Sequence, residues 1–229
     1  MRSYQGRVTE IQLDAWERRS AWIACPPAAI PSAGRYLLGR LSADPLATLA
    51  EPLFPGQITA ERFQTAGSLP ASWEPGMILN LRGPLGQGFS LPENAHRIAL
   101  IDLAETPARL LPLVSQAVKG QLAAALFTDT TLTGLPAALE IQPLSGLSEA
   151  LSWADYIAID LPLGSLAELR HHLGLSAADR LPCPAQALIV TPMPCGGMAE
   201  CGACAVPAQR GWKLACKDGP VFNLSELSW

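Results

Sequence analysis

No run of apolar residues approaches the ~20 that a helix needs to cross a bilayer, although 49% of the 229 residues are hydrophobic. A membrane span is therefore not expected. Charge is scarce: Asp, Glu, Lys and Arg make up 16% of the chain, the net charge is −4, and there is no basic block. That balance argues against nucleic acid as a ligand. Low charge in a chain outside the membrane points instead to surface hidden against a partner subunit. The first residues show no charged-then-apolar leader, so the expected compartment is the cytoplasm, not an oxidising one. No Ser–His–Asp triad or pair of catalytic carboxylates can be assembled from the sequence.

Cysteine and proline are what the chain does hold. Four of its six cysteines lie in Pro194-Cys195-Gly-Gly-Met-Ala-Glu-Cys201-Gly-Ala-Cys204 and Lys213-Leu-Ala-Cys216-Lys-Asp-Gly-Pro220. The spacing, C-x5-C-x2-C-x11-C, is one residue longer in its first loop than the plant-type C-x4-C-x2-C…C run that holds a [2Fe–2S] cluster. Such a cluster needs four thiolates and backbone N–H groups turned toward the sulfurs, and glycine permits the tight loop. Gly196, Gly197 and Gly202 stand where that is needed. Two other readings compete. Disulfides would require an oxidising compartment, and structural zinc usually pairs two C-x2-4-C knuckles, of which only one is present. Of the other two cysteines, Cys25 belongs to the strand-like Ala21–Cys25 and reads as a small buried hydrophobe. Cys183 lies in the turn Leu181-Pro-Cys-Pro184 and could approach the four thiols only by folding back.

Twenty-one prolines cut the chain into short elements. Residues 1–92 read as strands and turns. Strands are expected at Arg7–Leu13, Ser20–Cys25, Gly34–Leu41, Gln57–Phe63 and within Glu74–Arg82, which together suggest a small antiparallel β-barrel. From 96 to 190 the pattern becomes α/β. Continuous apolar strands are expected at Arg97–Leu103, Ala123–Thr128, Leu139–Pro143, Tyr156–Asp160 and Gln186–Val190. Helices are expected over Pro107–Val118, Ser145–Trp153 and Ser165–Leu173, the last with Ser165 as N-cap. Alternation of this kind predicts a parallel sheet of nucleotide-binding type. Residues 191–229 then form the cysteine segment.

A barrel, a nucleotide-type α/β domain and a four-cysteine tail occur in this order in a known family. The chain resembles the electron-transfer subunit of two-subunit, NAD-linked dihydroorotate dehydrogenase, within the ferredoxin-reductase-like flavoproteins. The resemblance rests on Cys195–Phe222, above all Cys216-Lys-Asp-Gly-Pro-Val-Phe222, and on Pro75-Gly-Met-Ile-Leu-Asn-Leu-Arg-Gly-Pro-Leu-Gly-Gln-Gly-Phe89. It implies a [2Fe–2S] cluster on Cys195, Cys201, Cys204 and Cys216, FAD against the barrel and NAD on the α/β domain. It also implies a flavin-containing catalytic partner in a hetero-oligomer serving pyrimidine synthesis, with this chain as a relay that does not bind the pyrimidine precursor.

The sequence departs from that family at both dinucleotide sites. Where the family has an Arg-Pro-x-Ser-like stretch, this chain reads Glu51-Pro-Leu-Phe54. A carboxylate there repels the flavin's pyrophosphate, and the stretch reads equally as an ordinary barrel turn. The family's Gly-x-Gly-Thr is replaced by Gln64-Thr-Ala-Gly-Ser68, although Arg35 or Arg62 could supply a guanidinium from elsewhere. The glycine-rich NAD turn is replaced by Asp102-Leu-Ala-Glu-Thr-Pro107, with no glycine and two carboxylates, so NAD is not expected. The alternatives are a scaffold or regulatory subunit with structural zinc, or an intact FAD/NAD(P)H reductase. His171-His172, at a predicted helix end, suits the helix dipole better than a metal. Trp212 and Trp229 flank the cysteine segment as candidates for shielding it or for packing on a partner.

Overall fold

The computed structural model describes residues 2–13, 18–42, 49–67, 69–104, 106–130, 135–176 and 178–229. Its first half is a closed antiparallel barrel of β1 (Ser3–Leu13), β2 (Arg19–Ala24), β3 (Tyr36–Leu41), β4 (Glu51–Ile58), β5 (Arg62–Ala66) and β6 (Ile78–Leu85). The strand order is β1-β2-β5-β4-β3-β6. Period-two alternation sorts the side chains. Val8, Ile23, Leu37, Leu53, Phe63, Leu79 and Leu81 fill the barrel. Tyr36, Leu38, Phe54 and Ala66 point out of it into a second core shared with the rest of the chain.

Two sequence expectations change here. Residues 51–54 belong to strand β4 and are not a turn. The strand expected over 57–63 is the end of β4, a three-residue turn and the start of β5. That turn lacks Gly, Pro, Asn and Asp. It is held by Thr59, whose hydroxyl donates to the Arg62 carbonyl (3.0 Å) and accepts from the Arg62 N–H (3.2 Å).

The second half is a six-stranded sheet built on β7 (Arg97–Asp102), β8 (Ala123–Phe127), β9 (Leu139–Gln142), β10 (Tyr156–Pro162) and β11 (Ala185–Val190), all parallel. Helix α1 (Leu111–Lys119) follows a 3-10 turn at Pro107–Leu110, with Thr106 as its N-cap. Helices α2 (Leu147–Trp153) and α3 (Leu169–His172) are short and are likewise entered through 3-10 turns. Ser165 lies inside such a turn, with Pro162 at the N-cap position, so its expected capping role is not found. Ile98 and Leu100 pack with α1 on one face of the sheet. Ala99 and Ile101 pack with α2, α3 and the tail on the other.

The tail adds the hairpin β12 (Ala205–Pro207) and β13 (Trp212–Leu214), then β14 (Val221–Asn223). Strand β14 pairs antiparallel with β11 and completes the sheet in the order β14-β11-β10-β7-β8-β9. The barrel grips this segment directly. A Cβ on Gly86 would lie 2.5 Å from the Gly219 carbonyl oxygen and 2.6 Å from Pro220, so this crossing of two backbones requires glycine. The Gln87 N–H donates to the Gly219 carbonyl at 2.5 Å. Among the described residues no helix is long and apolar enough to cross a membrane.

Candidate metal centre

Strand β11 delivers the chain into the cysteine loop at the C-terminal edge of the parallel sheet. Gly196, Gly197, Ala199 and Gly202 all adopt left-handed backbone conformations (φ +61°, +73°, +64° and +71°). This coiling turns successive N–H groups inward, the arrangement that makes an anion-binding nest. The backbone N–H groups of Met198, Glu200 and Cys201 lie near the Cys195 sulfur and pull its pKa down, and that of Ala199 does the same at Cys216. The Ala203 N–H donates to Cys201 Sγ at 3.5 Å.

The thiols meet in two pairs: Cys195 contacts Cys201, and Cys204 contacts Cys216. Burial divides them further. Cys204 and Cys216 are buried, Cys195 is half-buried and Cys201 is exposed. Burial pushes the Cys195 thiol up, but the hydrogen bonds from Cys201 and the loop N–H groups outweigh it and bring the group to about 6. Burial and the neighbouring Cys204 push Cys216 up to about 12. Among the described residues, no three His, Cys, Asp or Glu side chains converge on one ion-sized point. The four cysteines supply the thiolate set that a two-iron cluster needs.

The barrel and the hairpin position the loop. The buried Tyr36 donates its hydroxyl to the Cys216 carbonyl (3.2 Å). A Cβ on Gly197 would touch that hydroxyl at 3.3 Å, and one on Gly196 would touch Arg82 Nη2 at 3.3 Å. The Cys216 turn is fastened by Asp218, whose carboxylate accepts from the Leu214 N–H (2.8 Å). The Ala215 N–H donates to the Cys204 carbonyl (3.0 Å). Tyr36, Arg82 and Asp218 were not singled out from sequence, because nothing local marks a barrel residue as a neighbour of a cysteine far along the chain.

The remaining thiols lie elsewhere. Cys25 is buried just beyond β2. Cys183 precedes β11, whose six residues put it ~20 Å from the cysteine loop. Trp229 stacks under Arg170 (4.4 Å) and donates to the Leu224 carbonyl (2.8 Å). Trp212 is 71% exposed on the hairpin. His171 and His172 close α3, their rings 6.3 Å apart.

The residues at the family's flavin position depart from its pattern. Phe54 is buried in the seam between barrel and sheet and packs on Tyr36, ring centroids 5.5 Å apart. Gly56 lies against the Ala108 carbonyl, so the 3-10 turn after β7 closes on β4. Arg35 donates to the Gly86 and Pro84 carbonyls (3.1 and 3.0 Å). Arg62 stacks on Trp22 (4.4 Å) and faces Glu10 (3.9 Å). Neither arginine stands in for the missing one. Thr65 accepts from the Ala21 N–H (3.0 Å), and Ser68 lies outside the described residues.

The NAD position is no better suited. Asp102 and Asp160 are paired in register on β7 and β10, where the strand order reverses and α/β folds usually bind ligands. Both carboxylates are buried. Asp160 Oδ2 accepts from Arg109 Nε (2.8 Å), while Asp160 Oδ1 has no partner among the described groups. Asp102 accepts from the Thr128 hydroxyl (3.0 Å) and the Ala104 N–H (3.1 Å). Burial and then Asp160 push Asp102 up to about 7. Two carboxyl groups and one committed arginine oppose a pyrophosphate. Glu105 is outside the described residues.

Barrel, parallel sheet and cysteine segment together define a ferredoxin-reductase-like fold with an iron–sulfur tail. Residues 191–228 match the family model of the iron-sulfur cluster binding domain of dihydroorotate dehydrogenase B. A comparison with curated proteins found no significant match. Among solved structures the chain is similar to an NADH-dependent reduced ferredoxin-NADP oxidoreductase studied for flavin-based electron bifurcation. The TM-score is 0.72 at 18% identity, over 98% of this chain and 90% of that one. The ferredoxin reductase of carbazole 1,9a-dioxygenase gives 0.58 at 12% identity over 76% and 66% of the two chains. The Amycolatopsis cytochrome P450 reductase GcoB gives 0.54 at 13% over 76% and 66%. At such identities the likeness speaks for the fold, and the family model speaks for an iron–sulfur cluster in the tail.

Proposed function

We propose that this chain is the electron-transfer subunit of a dihydroorotate-dehydrogenase-like complex in cytoplasmic pyrimidine synthesis. In this reading Cys195, Cys201, Cys204 and Cys216 would hold a [2Fe–2S] cluster. When bound, the cluster supplies one-electron transfer to or from the flavin of a catalytic partner subunit in a hetero-oligomer. The observation that carries the reading is the cysteine loop, with its thiols paired and its N–H groups directed at the sulfurs. Those N–H groups stabilise thiolate charge, Tyr36 and Gly86 fix the Cys216 turn, and the exposed Cys201 side is the face left open to a partner.

The chain divides by role into a barrel at 1–92, an α/β unit at 96–190 and a cluster-binding tail at 191–229, although β14 of the tail is also a strand of the sheet. Because both dinucleotide motifs depart from the family's, the barrel and sheet act in this reading as scaffold, and electrons enter and leave through the tail. The test is anaerobic purification with iron, sulfide, zinc and flavin analysis, alone and with any co-purifying subunit. Brown protein whose visible bands bleach on reduction supports the proposal. A colourless zinc protein, or one with stoichiometric FAD that oxidises NADH, replaces it with one of the alternatives.

A further inference from the structure

A cleft of about 500 Å³ opens between the outer face of the barrel and the start of the cysteine loop. Ser3, Arg40, Asn80 and Arg82 line it from the barrel, and Cys195 and Gly196 from the loop. Leu38 faces Arg82 and Arg40 faces Asn80 across β3 and β6. The two arginines are thus diagonal neighbours on one face, close enough for long side chains to meet. Among the described residues neither is paired with a carboxylate. Two adjacent unpaired guanidiniums repel each other, and the cleft between them has room for an anion.

The two are not equivalent. Arg82 is half-buried with Nη2 against the Gly196 backbone, and its charge reaches Tyr36 together with those of Cys195, Cys204 and Cys216. It therefore sits within electrostatic reach of the thiol cluster. Arg40 is exposed at the cleft's outer side, with its fork free for a second anion. Guanidinium pairs match phosphate and carboxylate oxygens bidentately, and Asn80 and Ser3 add polar hydrogen-bonding groups.

We propose that this cleft binds a small oxyanion, free phosphate or a phosphate monoester, between Arg40 and Arg82, and that binding is coupled to the redox state of the tail. The coupling rests on the iron–sulfur reading; the anion site does not. Reduction adds a negative charge beside the cleft and weakens anion binding. By reciprocity, a bound anion makes the tail harder to reduce.

The test titrates inorganic phosphate into the oxidised, cluster-loaded subunit by calorimetry at constant ionic strength, with chloride as the control anion. Arg40→Gln and Arg82→Gln should each weaken phosphate by about tenfold or more, since each removes a charge-assisted bond. Arg180→Gln, at the far end of β11, should leave affinity unchanged. Potentiometry in phosphate should show a lowered midpoint, by about 59 mV for a tenfold affinity difference between redox states, and no such shift in Arg40→Gln. Equal response to chloride, or equal affinity in all three variants, marks an adventitious ion only and overturns the site. Phosphate binding with an unmoved potential overturns the coupling. Phosphate binding in a subunit without redox-active iron keeps the anion site and refutes the proposed function.

Discussion

Replacing Arg109 with methionine should destabilise the protein strongly and make its stability depend on pH. Arg109 is 11% exposed, and its Nε lies 2.8 Å from Asp160 Oδ2, whose side chain is fully buried. Methionine keeps much of the stem's packing but leaves the carboxylate without its countercharge, next to Asp102. Removing one partner of a buried ion pair costs about 3–5 kcal/mol. With a urea slope of about 3 kcal/mol/M, the unfolding midpoint should fall by roughly 1–1.7 M. The variant should recover as pH falls. Asp160 is already pushed up by burial, and without Arg109 it rises further above its unfolded value of about 3.9. The folded state then binds the extra proton, so stability is lost as pH rises from that unfolded value through the folded one. The limiting slope is about 1.4 kcal/mol per pH unit. Arg109→Met/Asp160→Asn should regain most of the loss, because no charge is left buried. Urea titrations followed by tryptophan fluorescence at pH 5 and pH 8 decide the matter. A midpoint change below about 0.3 M, or one identical at both pH values, would refute the buried-pair reasoning.

Asp102, pushed up to about 7, should make the unaltered protein lose stability between pH ~4 and about 7, and Asp102→Asn should flatten that slope in the same titrations. Cys204→Ser or Cys216→Ser, at buried positions, should abolish iron retention; if either retains full iron content by elemental analysis, that cysteine is not a ligand. Gly86→Ala, whose Cβ would collide with the Gly219 carbonyl and Pro220, should cost about 1–3 kcal/mol and release iron faster to a chelator; wild-type release kinetics would contradict the proposed grip of the barrel on the Cys216 segment. NADH titration should show no micromolar binding, and denaturation should release no stoichiometric FAD; either finding would restore the reductase reading.

The most legible part of the chain was what repeats or lies close together in sequence. The apolar runs at Arg97–Asp102 and Tyr156–Asp160 are strands because both of their faces are covered, which is also what makes them continuous in sequence. The cysteine spacing was legible for the same local reason. Within it Ala199 takes a left-handed conformation, which no residue preference would suggest. Strand β4 was obscured by Pro52 and Pro55, and the register with β5 shifts between Pro55 and Gln57. A bulge of that kind lets proline stay in a sheet. Strand β14 is three residues long and exists only because β11 offers an edge. Glu51 and the Asp102–Pro107 turn mark, in sequence, where the chain departs from the family's dinucleotide motifs. That Phe54 and the 3-10 turn fill the seam depends on tertiary packing and was invisible in sequence.

On the proposed reading the four tail cysteines hold a redox-active two-iron cluster. Iron and acid-labile sulfide analysis of anaerobically purified subunit, with paramagnetic resonance of the dithionite-reduced sample, tests it most directly. Two irons and two sulfides per chain and an unpaired-spin signal after one-electron reduction are expected. Zinc in place of iron, or a reduced sample without any such signal, would contradict it.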